Sequence, residues 1–311
     1  MKLNKRSTSI DLTLYLSSSL LTGATLDQFQ QSLVQLGPEW ASQLHLERVG
    51  EPRLEIDVKR TGAIRDVVFS KGLERGDLYR RLQQLDVSRP ATRRFGSIEL
   101  RGASRELTIV LTFDDWVFCP IGQAWIPGNR LDVQMRSPVV EGRKASNWAE
   151  GSFAHWCSSL DPFFAFAYTI EEYYAKNMSR EGGGLRAIGV DISKYLPGLY
   201  WLNFFGRPYR NLIGDERWVS APVFRTDQCG GGYILQLSDT PEDWHLPEYE
   251  TSEESVRRHL GEEYFFTRSN PGRKTVSPFD LPQLQAARSS VQADVDLDGI
   301  VREIRIKKRA D

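Results

Sequence analysis

The stretch Pro197–Pro222, PGLYWLNFFGRPYRNLIGDERWVSAP, limits the fold more than any other part of the chain. It carries two Trp, two Tyr and two Phe, and no charged residue before Arg207. Leu199–Phe205 is a short apolar run bounded by Gly198 and Gly206, the pattern of a strand buried on both faces. Arg207-Pro208 follows, and Pro suits the first turn of a helix because its missing N–H had no partner there. Tyr209, Leu212 and Ile213 then fall at helical spacing, and Gly214 closes the turn. The segment therefore reads as strand, Gly turn, short helix and loop. Aromatics this dense serve a core or an interface, and the sequence leaves both open.

The rest of the chain supplies strands and helices in irregular alternation. Ser9–Leu16 alternates apolar and polar residues and predicts a strand, as do Leu54–Val58, Phe95–Leu100 and Glu106–Phe113. A hairpin is expected between Trp116 and Met135, turning at Pro127-Gly128-Asn129. Helices are expected at Thr25–Trp40, where Thr25 and Gln28 form a capping box, and at Asp77–Leu85, Ser146–Leu160 and Ser252–Leu260. Phe163–Ile170 is a strongly apolar strand, Glu171–Lys176 a helical turn, and Tyr233–Leu237 a strand entered from Gly230-Gly231-Gly232. The final residues, VREIRIKKRAD, read as an edge strand guarded by charge. Hairpins mixed with helices predict an α+β fold with a largely antiparallel sheet and helices on one face. Three parts are expected: residues 1–140, the aromatic-rich residues 141–270, and a loop with the last strand at 271–311. The strand–helix–strand order of Ser9–Val58 and of Glu106–Ile170 suggests two similar halves.

Composition excludes several classes of function. Lys plus Arg number 40 and Asp plus Glu 41, for a net charge of -1, so no whole-molecule field draws nucleic acid or an anionic membrane. No stretch is long and apolar enough for a transmembrane helix, and Asp11 breaks the faint signal-like start. Three widely spaced Cys argue for a reduced compartment, the cytoplasm, and against a disulfide framework or a zinc site.

Tyr200-Trp201-Leu202-Asn203-Phe204-Phe205-Gly206, with Pro208-Tyr209, Leu212-Ile213-Gly214 and Ser220-Ala221-Pro222, resembles bacterial immunity proteins, the antidote partners of polymorphic toxins. The nearest group is immunity protein 52, and the resemblance spans roughly residues 185–244. It implies an α+β protein that binds a cognate toxin, a nuclease among the candidates, with no cofactor and no catalysis. Under that reading Arg207, Tyr209, Arg217 and Trp218, at the exits of the aromatic strand, are the expected contacts. The acidic run Asp239, Glu242, Asp243, Glu248, Glu250, Glu253 and Glu254 reads either as a solvated helix start or as a polyanion facing a basic cleft.

Two other functions compete. Glu55, Asp57 and Lys59 share one face of a predicted strand and, with Asp114, make the residue set of a metal-dependent hydrolase, in which carboxylates hold magnesium and the set orients water. The same spacing is that of an amphipathic strand's solvent face. A non-catalytic structural subunit is the other alternative. Asp294–Gly299 imitates the start of a calcium loop, but Arg305 stands where a bidentate Glu is required, so strand–turn–strand is the better reading. The four His show no metal-ligand spacing, and neither Gly cluster has phosphate-loop spacing. No cofactor, metal or nucleic-acid partner is expected.

Overall fold

A computed structural model of the protein describes residues 9–16, 45–50, 96–101, 107–113, 116–119, 124–127, 129–136, 143–179 and 186–279. The helices expected at Thr25–Trp40 and Asp77–Leu85, the strand at Leu54–Val58, the Asp294–Gly299 turn and the last strand lie outside the described residues.

The strands are β1 (Ser9–Leu16), β2 (His45–Gly50), β3 (Gly96–Arg101), β4 (Leu107–Phe113), β5 (Trp116–Cys119), β6 (Ala124–Pro127), β7 (Arg130–Arg136), β8 (Pro162–Thr169), β9 (Met178–Ser179), β10 (Arg186–Ala187), β11 (Leu202–Phe205), β12 (Arg225–Cys229) and β13 (Gly232–Gln236). The helices are α1 (Arg143–Leu160), α2 (Ile170–Asn177), α3 (Arg207–Ile213), α4 (Asp215–Val219) and α5 (Pro247–Leu260), with 3₁₀ turns at Pro241–His245 and Glu262–Tyr264. Nine strands form one antiparallel sheet in the order β12-β13-β11-β8-β1-β7-β4-β3-β2. The fold is α+β, as the sequence predicts.

β1 lies at the centre, paired with β7 on one side and β8 on the other. Residues 1–140 and 141–270 therefore contribute strands to a single sheet. All eight residues of β1 are buried, including Asp11 and Thr13 at the polar positions of its alternation. Alternation normally marks one wet face, but here both faces are covered. On the first face Leu12, Leu14, Leu131, Val133, Ala165, Ala167, Phe204 and Ile234 pack against Phe153, Trp156 and Cys157 of α1. On the second, Tyr15, Phe164, Phe166, Phe205, Tyr233 and Leu235 meet Tyr209, Trp218, Tyr249, Val256 and Leu260 from α3, α4 and α5. Helices thus occupy both faces, α1 on the first and α3, α4 and α5 on the second, and not one face as the sequence predicts, because the central strands are apolar on both sides.

Two local expectations change. The hairpin expected between Trp116 and Met135 is split: β5 pairs with β6 in a separate two-stranded sheet, whereas β7 joins the large sheet between β1 and β4. Pro127 closes the β5–β6 ladder opposite Trp116, so Pro127–Asn129 links two sheets and does not turn a hairpin. Similarly, the loop expected after Gly214 contains α4, and the strand leading to Gly230 is β12. β12 is exposed and polar, so it lacks the apolar alternation by which strands are recognised.

Backbones approach closely where strands leave the sheet. A Cβ on Gly232 would sit 2.1 Å from the Phe205 carbonyl oxygen, and one on Gly206 would sit 2.3 Å from that of Pro162. Gly151, exposed in α1, has no neighbour within 4 Å of where its Cβ would be. Urea denaturation should therefore separate two Gly→Ala substitutions by sign. Gly232→Ala lowers stability by at least ~2 kcal/mol, because backbone must move. Gly151→Ala raises it by about 0.5–1 kcal/mol through helix propensity.

Candidate interaction surface and the buried charges beneath it

The aromatic stretch is core along its strand and surface at its exits. Only Leu202–Phe205 makes ladder bonds, to β8 and β13. The preceding residues, 196–201, are buried but are not part of a strand. Buried backbone without a ladder must find its hydrogen bonds elsewhere. Leu196 exchanges bonds with the 264–266 segment: its N–H donates to the Tyr264 carbonyl at 2.7 Å, and its carbonyl accepts from the Phe266 N–H at 2.9 Å. The Pro197 carbonyl accepts from Asn177 Nδ2 at 3.3 Å. The Leu199 carbonyl accepts from Lys176 Nζ, and the Leu199 N–H donates to Glu253 Oε1 at 3.4 Å. Asn203 serves Tyr200 twice, accepting from its N–H at 2.9 Å and donating to its carbonyl at 2.7 Å. The Trp201 carbonyl accepts from the Leu237 N–H at 3.0 Å.

Side chains thus take the place of a neighbouring strand at Pro197, Leu199 and Tyr200, and at Leu199 they are charged. Lys176 lies 2.8 Å from both Glu172 and Glu253, and its ammonium sits 5.3 Å from the Tyr200 ring centre and 4.9 Å from that of Tyr249. Tyr249 Oη donates to Glu172 Oε1 at 2.7 Å, and Tyr200 Oη donates to Asn177 Oδ1. The Glu172 side chain is 0% exposed, and that of Lys176 is 18% exposed. Glu172 is positioned by its helix: Thr169 caps α2 by accepting from the Glu172 N–H at 3.1 Å. Burial pushes the Glu172 carboxyl above the ordinary carboxylate range, against the pull of Lys176. Burial also opposes the charge on Lys176, but Glu172 and Glu253 together hold it above the ordinary lysine value.

Further along the stretch the aromatics stack inward. Phe166 lies 4.5 Å from Tyr200, and Phe205 lies 4.6 Å from Trp218, ring centre to ring centre. Of the four expected contacts, Tyr209 and Trp218 are therefore interior side chains. Helical periodicity turns both onto the sheet, and of the four only the two arginines reach the surface. Arg217 is exposed, and its Nη1 donates to the Leu260 carbonyl at 3.1 Å, tying α4 to the end of α5. Arg207 is the more open, with its side chain 72% exposed and its Nε 3.6 Å from Asp161. It borders a shallow groove of about 510 Å³ lined by Arg207, Arg210, Asn211, Gly214, Asp215, Gly230 and Gly231. Arg210 is held by two bonds to Asp215, at 2.6 and 2.8 Å.

The acidic run divides between these two roles. Glu253 belongs to the buried cluster, and Asp243 Oδ2 accepts from the Thr240 N–H at 3.1 Å to cap the 3₁₀ turn. Glu242, Glu248, Glu250 and Glu254 are exposed, beside the exposed Leu246. Elsewhere, Cys157 is buried and burial raises its thiol well above the usual range, which fits an inert core residue. Among the described residues no group of His, Cys, Asp and Glu could hold a metal. The hydrolase candidates Glu55, Asp57, Lys59 and Asp114 lie outside the described residues. No described helix is long and apolar enough to cross a membrane.

The cluster itself was only half visible in the sequence. Glu172 and Lys176 stand at the i, i+4 spacing of a helical ion pair. Nothing marks Glu253, 77 residues after Lys176, as their partner.

No protein-family model matches the chain, and no curated protein matches it. Among solved structures the chain is similar to one titled "Pseudomonas aeruginosa T6SS protein PA0821", with TM-score 0.47 and 11% identity over 80% of this chain and 76% of that one. A likeness at that level carries no argument about function.

Two outcomes follow from the cluster. Lys176→Met leaves two carboxylates facing each other in the interior and should lower unfolding free energy by about 3–5 kcal/mol in urea titrations. Glu172→Gln combined with Glu253→Gln in that background should recover part of the loss. The pH dependence is alkaline. Lys176, Tyr200 and Tyr249 all hold their protons more tightly in the folded chain than in the unfolded one. Their contribution is complete below about pH 10, the ordinary range of Tyr and Lys. It is lost as pH rises further, since the unfolded chain releases those protons first. Glu172, also raised, favours the folded state at low pH and so does not drive acid unfolding. Ultraviolet titration should show a class of tyrosines that ionises only as the protein unfolds.

Proposed function

We propose that this protein is a cytoplasmic immunity protein: it binds a cognate bacterial toxin, a nuclease, and blocks it stoichiometrically without turning anything over. The observation that carries this reading is the outward side of the acidic helix. Glu248, Glu250 and Glu254 face solvent from α5, while Tyr249, Glu253, Val256 and Leu260 of the same helix are fixed in the interior or in the charge cluster. Glu250 and Glu254, one helical turn apart on a rigid support, suit a nuclease, whose cleft must be basic to hold a polyanion. Rigidity matters because ordering a loop on binding would cost affinity. The resemblance of the 200–222 segment to immunity proteins supports the same reading. That segment acts from inside, by placing α3 and α4 beside α5 and bringing Arg207 to the surface.

The test is direct. The genes adjacent to its own are searched for a toxin, and the purified chain is mixed with that product. A one-to-one complex with loss of toxin activity is expected, and no complex at micromolar concentrations overturns the proposal. Glu250→Lys with Glu254→Lys should weaken binding at least ~10-fold, chiefly through a slower and less salt-sensitive association. The thermal unfolding midpoint should stay close to that of the parent. Arg207→Glu tests the second contact by the same titration.

A further inference from the structure

We propose that β12 is a self-association edge, across which two copies of this chain pair antiparallel about Thr226. β12 is the terminal strand of the nine-stranded sheet and its backbone ladder runs only to β13 among the described residues, while Arg225 also donates to Glu150 of α1 at 3.3 Å. Its neighbour in the ladder fixes which backbone groups point outward. Cys229 and Gly232 flank a two-residue turn, Gly230-Gly231, whose first residue has φ +53°. The pair closing such a hairpin exchanges both of its hydrogen bonds, and the pattern then alternates. Arg225, Asp227 and Cys229 therefore bond inward to β13, which leaves the N–H and C=O groups of Thr226 and Gln228 directed outward.

The side chains select the occupant. Arg225 and Asp227 stand two apart on one face, 2.8 Å from each other, with side chains about half exposed. Charges on an edge strand normally deter pairing. Here they are of opposite sign, so a two-fold axis through Thr226 sets each Arg225 opposite the other copy's Asp227. Those would be non-hydrogen-bonded pairs, in which side chains approach most closely. The same axis puts Thr226 opposite Thr226 and Phe224 opposite Gln228. An axis through Asp227 would oppose like charges, and one through Gln228 would run into the turn. An exposed apolar side chain flanks this edge: Phe224 is 57% exposed, directly before the strand. Pairing gives it a neighbour. An edge five residues long makes a small, isologous interface, so the dimer is weak and exchanging.

Light scattering and sedimentation read the outcome. The wild-type weight-average mass should rise above 35.5 kDa, towards twice that value, as concentration reaches ~100 µM. Arg225→Asp alone, or Asp227→Arg alone, should hold it at the monomer mass. The double variant R225D/D227R should restore association, since the exchanged charges again meet their opposites across the same axis. A wild-type mass that stays at the monomer value overturns the proposal. So do single variants that associate like the wild type, or a double variant that stays monomeric while its circular dichroism is unchanged. None of these readouts involves a toxin, so they stand apart from the functional proposal.

Discussion

The structure depends on the hydrogen bonds of a buried piece of backbone that no strand completes. Residues 196–201 run through the interior into β11; Leu196 and Trp201 bond to remote backbone, and side chains serve the residues between them: Lys176 and Asn177 of α2, Glu253 of α5, and Asn203 of β11 itself. Water would satisfy such a segment at the surface, but here the aromatic rings of Phe166, Tyr200 and Trp201 exclude it. Lys176 is the hinge of the arrangement. It bonds a backbone carbonyl, balances two carboxylates and sits beside two tyrosine rings. Burying one ammonium between two acids is expensive, and removing any one member leaves the others unbalanced.

That cost has a structural return. The segment leads into β11, which leads on to α3 and α4, and the stack Phe164–Phe205–Trp218–Tyr233 lies at the end of that strand. α5 is bound to the same cluster through Glu253 and Tyr249. The acidic outer side of α5, the Arg207 groove and the β12 edge are therefore carried by elements tied to one interior. A surface held in this way is organised before any partner arrives.

The sequence was most legible where a local period met a buried face. Ser9–Leu16 matched β1 to the residue, and Pro208 and Gly214 marked the ends of α3, because strand alternation and helix-end chemistry are local properties. Leu199–Phe205 reads in the sequence as one strand, with core and interface both open, but only four of its seven residues are strand. Its first half follows side-chain partners that are remote in sequence. β12 escaped notice because an exposed edge strand has no apolar rhythm, and the Pro127 turn was misplaced because Pro-Gly-Asn serves equally well as a link between sheets. The contact residues divided along the same line. Tyr209 and Trp218 are large and aromatic, which predicts burial or binding alike, and helix phase settled them inward. Glu253 reads in the sequence as one of a solvated or partner-facing acidic run, and its role as a buried ion-pair partner comes from tertiary packing alone.

Native-state hydrogen exchange at the Tyr200 amide decides whether side chains truly replace the missing strand. If they do, this amide, bonded to Asn203 in the interior, exchanges only when the whole protein unfolds. Its protection then equals that of Phe204 in the sheet. Exchange at the rate of a surface loop, with Phe204 still protected, would show that the buried segment opens on its own and that the charge cluster does not hold it.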